Sequence, residues 1–119
     1  MGSLLDEPAI SLRVRKHEDP GIEVRVNFGV FAGRHATPAE IDDLARALSG
    51  QLNRFTIVAE ERHEFADEVE AALHQVVIEV AREDAGTDVD ELCERLVAAA
   101  ETWAEECFTS RQSGLGNLY

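Results

Sequence analysis

Histidine is the side chain in this sequence best suited to acid–base chemistry, because its ring titrates close to neutral pH. Of the four histidines, His74 is the most informative, since it precedes the alternating apolar run 76–80 and follows Glu70 by four residues. A histidine on an apolar strand face can act as a general acid or base, or it can be a satisfied core residue. His63 lies at or just after the end of a predicted strand. We therefore take His74, His63 and Glu70 as candidate catalytic residues.

The spacing of the histidines does not predict a metal site. Metal-binding histidines on one helix are typically four residues apart, whereas successive histidines here are at least eleven residues apart. The nearest approach to a ligand cluster is His63-Glu64 with Asp67, and acidic groups of this kind are mostly exposed surface. We expect neither a metal nor a cofactor.

Nucleophilic catalysis is not predicted either. Cys93 and Cys107 fall in the last predicted helix, and their separation of fourteen residues corresponds to about 21 Å along its axis. That distance excludes a disulfide within one helix, and no nearby histidine could activate either thiol. Gly29 and Gly33 lack the context of a phosphate-binding loop, so we expect them to mark a bulge or a close backbone approach. A non-catalytic protein is favoured, with enzymatic activity left open.

The charge is divided unevenly along the chain. The net charge is −13; residues 1–57 carry eight acids and seven bases, whereas residues 58–119 carry sixteen acids and four bases. A chain this acidic repels the phosphate backbone of a nucleic acid, so we do not expect it to bind nucleic acid. The acidic half is either a solvated surface or a patch for a basic protein partner.

Three arginines, Arg13, Arg15 and Arg25, share the polar face of the first predicted hairpin. They could bind an anion together. Alternatively, Glu60 and Glu79 from the acidic half could pair with them across strands, and we favour this pairing.

The first half of the chain predicts a hairpin followed by a helix. Residues 10–16 and 22–32 alternate apolar and polar residues around a Pro-Gly turn, which is typical of two paired strands. A helix is expected to follow, with Thr37 as N-cap, Pro38 at the first position and Glu40 completing a capping box. Gly50 is the expected stop. Residues 55–61 then return to strand character, and a last helix begins near Asp88.

The stretch 65–83 is ambiguous by periodicity, because it fits both an amphipathic helix and a strand rich in β-branched residues. Internal similarity favours the strand. Apolar positions 26, 28 and 30 recur fifty residues later at 76, 78 and 80, and those at 41, 45 and 48 recur fifty-one residues later. We therefore predict a strand over 68–81 and a tandem ββαββα pseudo-repeat of the α+β class, with a four-stranded antiparallel sheet and both helices on one face. The alternative is ββαβαα.

On this interpretation residues 9–108 form one domain, with pseudo-repeats 9–50 and 53–108 between a flexible start (1–8) and a flexible tail (109–119). Without a signal peptide or a long apolar run in the sequence, we expect a cytoplasmic protein with no membrane contact.

The first functional hypothesis is a dimerising interaction domain; the weak interface candidates are Phe31, Ala100, Trp103 and Tyr119. The second is an acidic inhibitor or immunity-type protein that binds a basic partner. The third is a small enzyme or ligand-binding protein with its site at a subunit interface.

Overall fold

The computed structural model describes residues 9–117, apart from the side chains of Phe31 and residues 109–117. The elements in chain order are β1 (Ile10–Val14), β2 (Ile22–Val26), α1 (Phe28–Ala32), α2 (Pro38–Ser49), β3 (Thr56–Ala66), β4 (Val69–Val80), a 3-10 turn (Arg82–Asp84) and α3 (Val89–Asn117). The predicted α+β fold is confirmed, and the stretch left ambiguous by periodicity is a strand. The alternative with a third helix over that stretch is therefore wrong.

The four strands form one antiparallel sheet in the order β1-β2-β4-β3. Alternate residues of the two central strands are buried in one hydrophobic cluster with the helices, because alternation places them on the same face. The buried strand residues are Ile22, Val24, Val26, Val76, Ile78 and Val80. The helices contribute Leu44, Leu48, Leu92, Leu96, Ala100 and Trp103 to the same cluster.

The register of the central strands bears on the predicted duplication. Val26 pairs directly with Val76, and these are the positions that an offset of fifty residues makes equivalent. A local two-fold axis through this pair would relate the two hairpins, in keeping with the symmetric strand order. The offset of fifty residues also matches Phe28 and Val30 to Ile78 and Val80. Phe28 and Val30 lie in α1, however, whereas Ile78 and Val80 lie in β4. The duplication stays a prediction.

The second strand is shorter than its alternation predicted. It ends at Val26 rather than at residue 32, and the chain turns into the five-residue α1. Gly29 permits this turn because it has no Cβ. A larger residue would place its Cβ only 3.3 Å from the backbone nitrogen of His74 on β4, which is a tight contact. The turn brings the Phe28 ring to 5.3 Å from the Trp103 ring in the core. Packing on α3 therefore overrides the local strand pattern.

Two other elements are longer than predicted. Strand β3 continues to Ala66, five residues past its expected end, and α3 runs to Asn117, so it includes residues 109–117 of the expected tail. The flexibility expected of this tail stays a prediction. The expected flexible start at residues 1–8 lies outside the described residues. No helix in the described part of the chain has both the length and the apolar character needed to cross a membrane.

The start of α2 follows the sequence prediction in detail. Thr37 caps the helix, its hydroxyl accepts from the Glu40 backbone N–H at 3.2 Å, and the Glu40 carboxylate accepts from the Thr37 N–H at 2.9 Å. The Glu40 carbonyl also accepts the indole N–H of Trp103 at 2.8 Å. This residue therefore joins the first turn of α2 to α3.

Candidate functional site

The second hairpin extends beyond the rest of the sheet as a two-stranded ribbon. Strands β3 and β4 pair from Thr56↔Glu79 to Ala66↔Val69, whereas β2 pairs with β4 only as far as Val76. We call residues 62–73, which lie beyond the last contact with the sheet, the arm. Its two turn residues, Asp67 and Glu68, have φ of 52° and 66°, as a tight two-residue hairpin turn requires.

The arm is solvent-exposed on both faces. Every residue from 61 to 70 is exposed, including Phe65 at 72% and Val69 at 65%. These two apolar side chains flank the turn and project to opposite faces, because Phe65 is opposite Glu70 and Val69 is opposite Ala66. Phe65 is the most exposed large apolar side chain among the described residues, and it stands at the tip of the ribbon.

The root of the arm is fixed by Arg25. Its guanidinium donates to Glu60 Oε1 at 2.5 Å and to Gln75 Oε1 at 2.7 Å, and it also pairs with Glu23 at 3.2 Å. Burial lowers the pKa of Arg25, but the hydrogen bonds to Glu23 and Glu60 outweigh it and raise the pKa overall. The Arg25 guanidinium is therefore already paired with carboxylates, and one of them is Glu60, the partner predicted from the sequence. Arg15 also contacts Glu23, at 3.6 Å, whereas Arg13 is exposed.

Next to the root, on the face that carries the helices, lies a cluster of histidines and a carboxylate. His74 shares this face with Val76, as predicted, and the ring of His35 lies 3.7 Å from its ring, centroid to centroid. Glu61 is directly opposite His74 in the sheet, with its Oε2 3.9 Å from His74 Nδ1. That nitrogen is buried and has no hydrogen-bond partner among the described residues.

His63 continues the cluster along the arm. Its Nε2 lies 3.0 Å from Glu61 Oε1, and its Nδ1 lies 2.6 Å from Glu70 Oε2. The three catalytic candidates predicted from sequence, His74, His63 and Glu70, are thus brought together through Glu61. Sequence analysis missed Glu61 and His35 as members of the cluster. Glu61 could have been found only from the cross-strand register, and His35 lies in a loop far away in sequence.

The loop that carries His35 is held by an ion pair with α2. Arg34 donates to both oxygens of Glu40 at 2.8 Å and to the carbonyl of His35 at 2.8 Å. The Arg34 guanidinium, with the Thr37 N–H assisting, lowers the pKa of Glu40 to about 2 against the opposing effect of burial. A bidentate ion pair of this kind holds its two partners in one relative orientation. Because Arg34 also donates to the carbonyl of His35, the pair fixes the backbone next to His35.

Two small pockets flank His74. One, of about 230 Å³, is lined by Phe28, His35, Ala36, Ala59, Glu60, Glu61, His74, Gln75 and Val76. The other, of about 300 Å³, is lined by Asn27, Gly29, Val30, Gly33, Ala72, Leu73 and His74. Both are at or below the lower end of the range for small-molecule sites, so the cluster can accommodate an ion or a very small molecule.

The two thiols do not offer a nucleophile. Both are buried and free. Burial, and then the charge of Glu40, raises the pKa of Cys107 to about 12, and burial raises that of Cys93. A thiol that stays protonated at neutral pH is a poor nucleophile.

Two of the four residues proposed for an interface are buried in the core. Ala100 and Trp103 belong to the core, where the Trp103 ring packs on Phe28 and its N–H is bonded to α2. They have almost no exposed area to offer a partner. The side chain of Phe31, and Tyr119 as a whole, lie outside the described residues.

Comparison of the chain with protein-family models, with curated proteins and with solved structures finds no match.

Proposed function

We propose that this protein is a non-catalytic interaction domain whose arm docks on a basic protein surface. The observation that supports this proposal is the exposure of Phe65 and Val69 at the tip of a ribbon that is otherwise acidic. The proposal combines the first two sequence hypotheses, an interaction domain and an acidic protein with a basic partner.

The charge of the ribbon indicates the chemistry of the partner. Residues 60–70 contain one arginine, Arg62, and six acids: Glu60, Glu61, Glu64, Asp67, Glu68 and Glu70. Glu60 is paired with Arg25, but Glu64, Asp67 and Glu68 are exposed around the turn. Complementary charges raise the association rate and select partners of the opposite sign. The partner of the acidic arm should therefore present a surface rich in lysine or arginine.

The apolar residues would supply most of the affinity. A phenylalanine side chain gains about 1.5–3 kcal/mol on full burial, and buried aromatic anchors surrounded by polar residues are typical of binding hot spots. A two-stranded ribbon is also only marginally stable in water when nothing covers it. The partner should therefore offer an apolar pocket for Phe65 within its basic surface.

A second copy of the chain fits the arm less well. Two arms brought together would place their acidic turns side by side, and like charges across an interface cost several kcal/mol. The predicted homodimer also loses Ala100 and Trp103 as contacts, since they are in the core. A basic partner is therefore the better-supported occupant of the arm.

The test is a selection of short random peptides displayed on phage against the immobilised wild-type domain. Peptides bound by the arm should be basic and contain an apolar residue, and their affinity should fall steeply between about 0.05 M and 0.5 M salt. Replacing Phe65 with Ala should weaken binding of the selected peptides by about tenfold or more. Since Phe65 contributes little to the core, the variant should unfold at the same urea concentration as the wild type.

The matched control is Val14→Ala, which removes another exposed apolar side chain, on the edge strand β1 at the opposite side of the sheet from β3. It should bind the peptides like the wild type. Selected peptides that lack basic residues, or that bind the Phe65→Ala variant equally well, would refute the proposal. Sedimentation of the free domain provides a further check, since a dimer abolished by Phe65→Ala would assign the arm to self-association instead.

A further inference from the structure

We infer that His35, Glu61 and His74 form a binding site for a divalent transition-metal ion of the Zn²⁺ type. Each residue offers one ligand atom, and these three atoms all lie within 4.8 Å of one another. Two imidazoles and one carboxylate are a common ligand set for zinc, with a fourth position left for water. This inference is independent of the partner proposed for the arm.

The distances between the ligand atoms are close to those that a metal requires. In a tetrahedral site with bonds of about 2.0–2.1 Å, neighbouring ligand atoms lie about 3.3 Å apart. The cluster must therefore contract by at most about 1.5 Å, which a small rotation of two side chains can provide. His35 and Glu61 are the exposed ligands and have room for this adjustment, while His74 is partly buried.

His74 has a nitrogen that lacks a partner in the fold. Its Nδ1 is buried without a hydrogen bond among the described residues, and Glu61 Oε2 is beyond hydrogen-bond distance at 3.9 Å. Leaving a buried polar atom unsatisfied is costly. A metal ion between His74 Nδ1 and Glu61 Oε2 would satisfy both atoms at once.

The carboxylate ligand is oriented by groups behind it. His63 Nε2 contacts Glu61 Oε1 at 3.0 Å, which leaves Oε2 directed towards His74. Glu70 in turn contacts His63 Nδ1 at 2.6 Å. Chains of this kind, in which a second layer of hydrogen bonds orients a ligand, are characteristic of protein metal sites. His63 is thus a positioning residue.

The ligand atoms also indicate the type of metal. Imidazole nitrogens suit zinc, copper, nickel and iron, whereas calcium and magnesium prefer oxygen-only sites. His35 comes from the loop before α2, while Glu61 and His74 lie at the root of the arm. A bound ion would therefore connect the arm to the body of the domain.

The test is calorimetric titration of the full, tag-free chain with Zn²⁺, together with absorption spectroscopy of the Co²⁺ complex. We expect one ion per chain and the visible bands of tetrahedral cobalt. His35→Ala and Glu61→Gln should each weaken zinc binding by about a hundredfold or more, and His63→Gln by about tenfold to a hundredfold. Both His35 and Glu61 are exposed, so these variants should keep the wild-type fold, which circular dichroism would verify.

The matched control is His17→Ala, in the turn between β1 and β2, which removes a histidine outside the cluster. It should bind zinc like the wild type. Three outcomes would overturn the inference: absence of zinc binding at micromolar concentrations, equal binding by the folded His35→Ala variant, or loss of binding in His17→Ala. Because the readout uses the metal alone, failure of this test is distinguishable from failure of the peptide selection.

Discussion

Replacing Glu40 with Gln should destabilise the domain near neutral pH and have little effect in acid. The carboxylate accepts hydrogen bonds from two guanidinium nitrogens of Arg34 and from the Thr37 N–H. The amide retains some of these hydrogen bonds but loses the negative charge. The variant therefore isolates the contribution of that charge.

The magnitude follows from the pKa of Glu40, which falls from 4.5 to about 2 in the folded protein. At about 1.4 kcal/mol per pKa unit, the upper limit of the linked stability is about 3–4 kcal/mol. The Glu40 side chain is 16% exposed and that of Arg34 is 31% exposed. Partial screening by solvent reduces the expected loss to about 2 kcal/mol.

The sign of the pH dependence is fixed by the direction of the shift. A carboxylate with a lower pKa in the folded state stabilises the protein fully above its unfolded pKa, and this stability is lost as the pH falls through the folded value. The difference in unfolding free energy between the wild type and Glu40→Gln should therefore be largest above about pH 5. It should shrink steadily between about pH 4.5 and 2.

Urea unfolding followed by the fluorescence of Trp103, the single tryptophan, provides the assay. This residue reports directly, because its indole is bonded to the Glu40 carbonyl. Glu105→Gln, at an exposed acid on α3, is the control and should change stability little at any pH. A difference between the wild type and Glu40→Gln that stays constant from neutral to acid pH would refute the reasoning, since the ionised carboxylate would then contribute nothing.

Two further predictions concern backbone conformation. Glu68→Gly should relieve the positive φ in the turn of the arm and stabilise it by about 0.5–1 kcal/mol; amide exchange in residues 62–73 should slow about two- to fivefold, and faster exchange would contradict this account. Gly21→Ala should destabilise the domain by about 1–3 kcal/mol in urea, because the new Cβ would lie 2.8 Å from the Arg82 Cα. Gly50→Ala, which meets nothing within 4 Å, is its control and should be neutral or slightly stabilising; equal effects at both glycines would rule out the steric explanation.

The sequence alone was sufficient for features that depend on local chemistry. The cap at Thr37 and the capping box with Glu40 follow from side chains that satisfy the free backbone groups at the start of a helix. Gly50 marks the end of α2, because glycine is common where helices stop. The strand β4 was predicted from the internal similarity of the two halves, because periodicity alone left residues 65–83 open between a helix and a strand.

The arm and the histidine cluster were decided by tertiary structure. Residues 61–66 are exposed on both faces, so no alternation of burial marks them as a strand, and only pairing with β4 extends β3 that far. The end of β2 at Val26 reflects the packing of Phe28 on Trp103, which local alternation does not encode. Glu61 meets His74 because of the cross-strand register, and His35 joins them because Arg34 and Glu40 fix its loop. Local patterns report which side of a segment is buried, whereas a site built from three segments depends on how those segments pack.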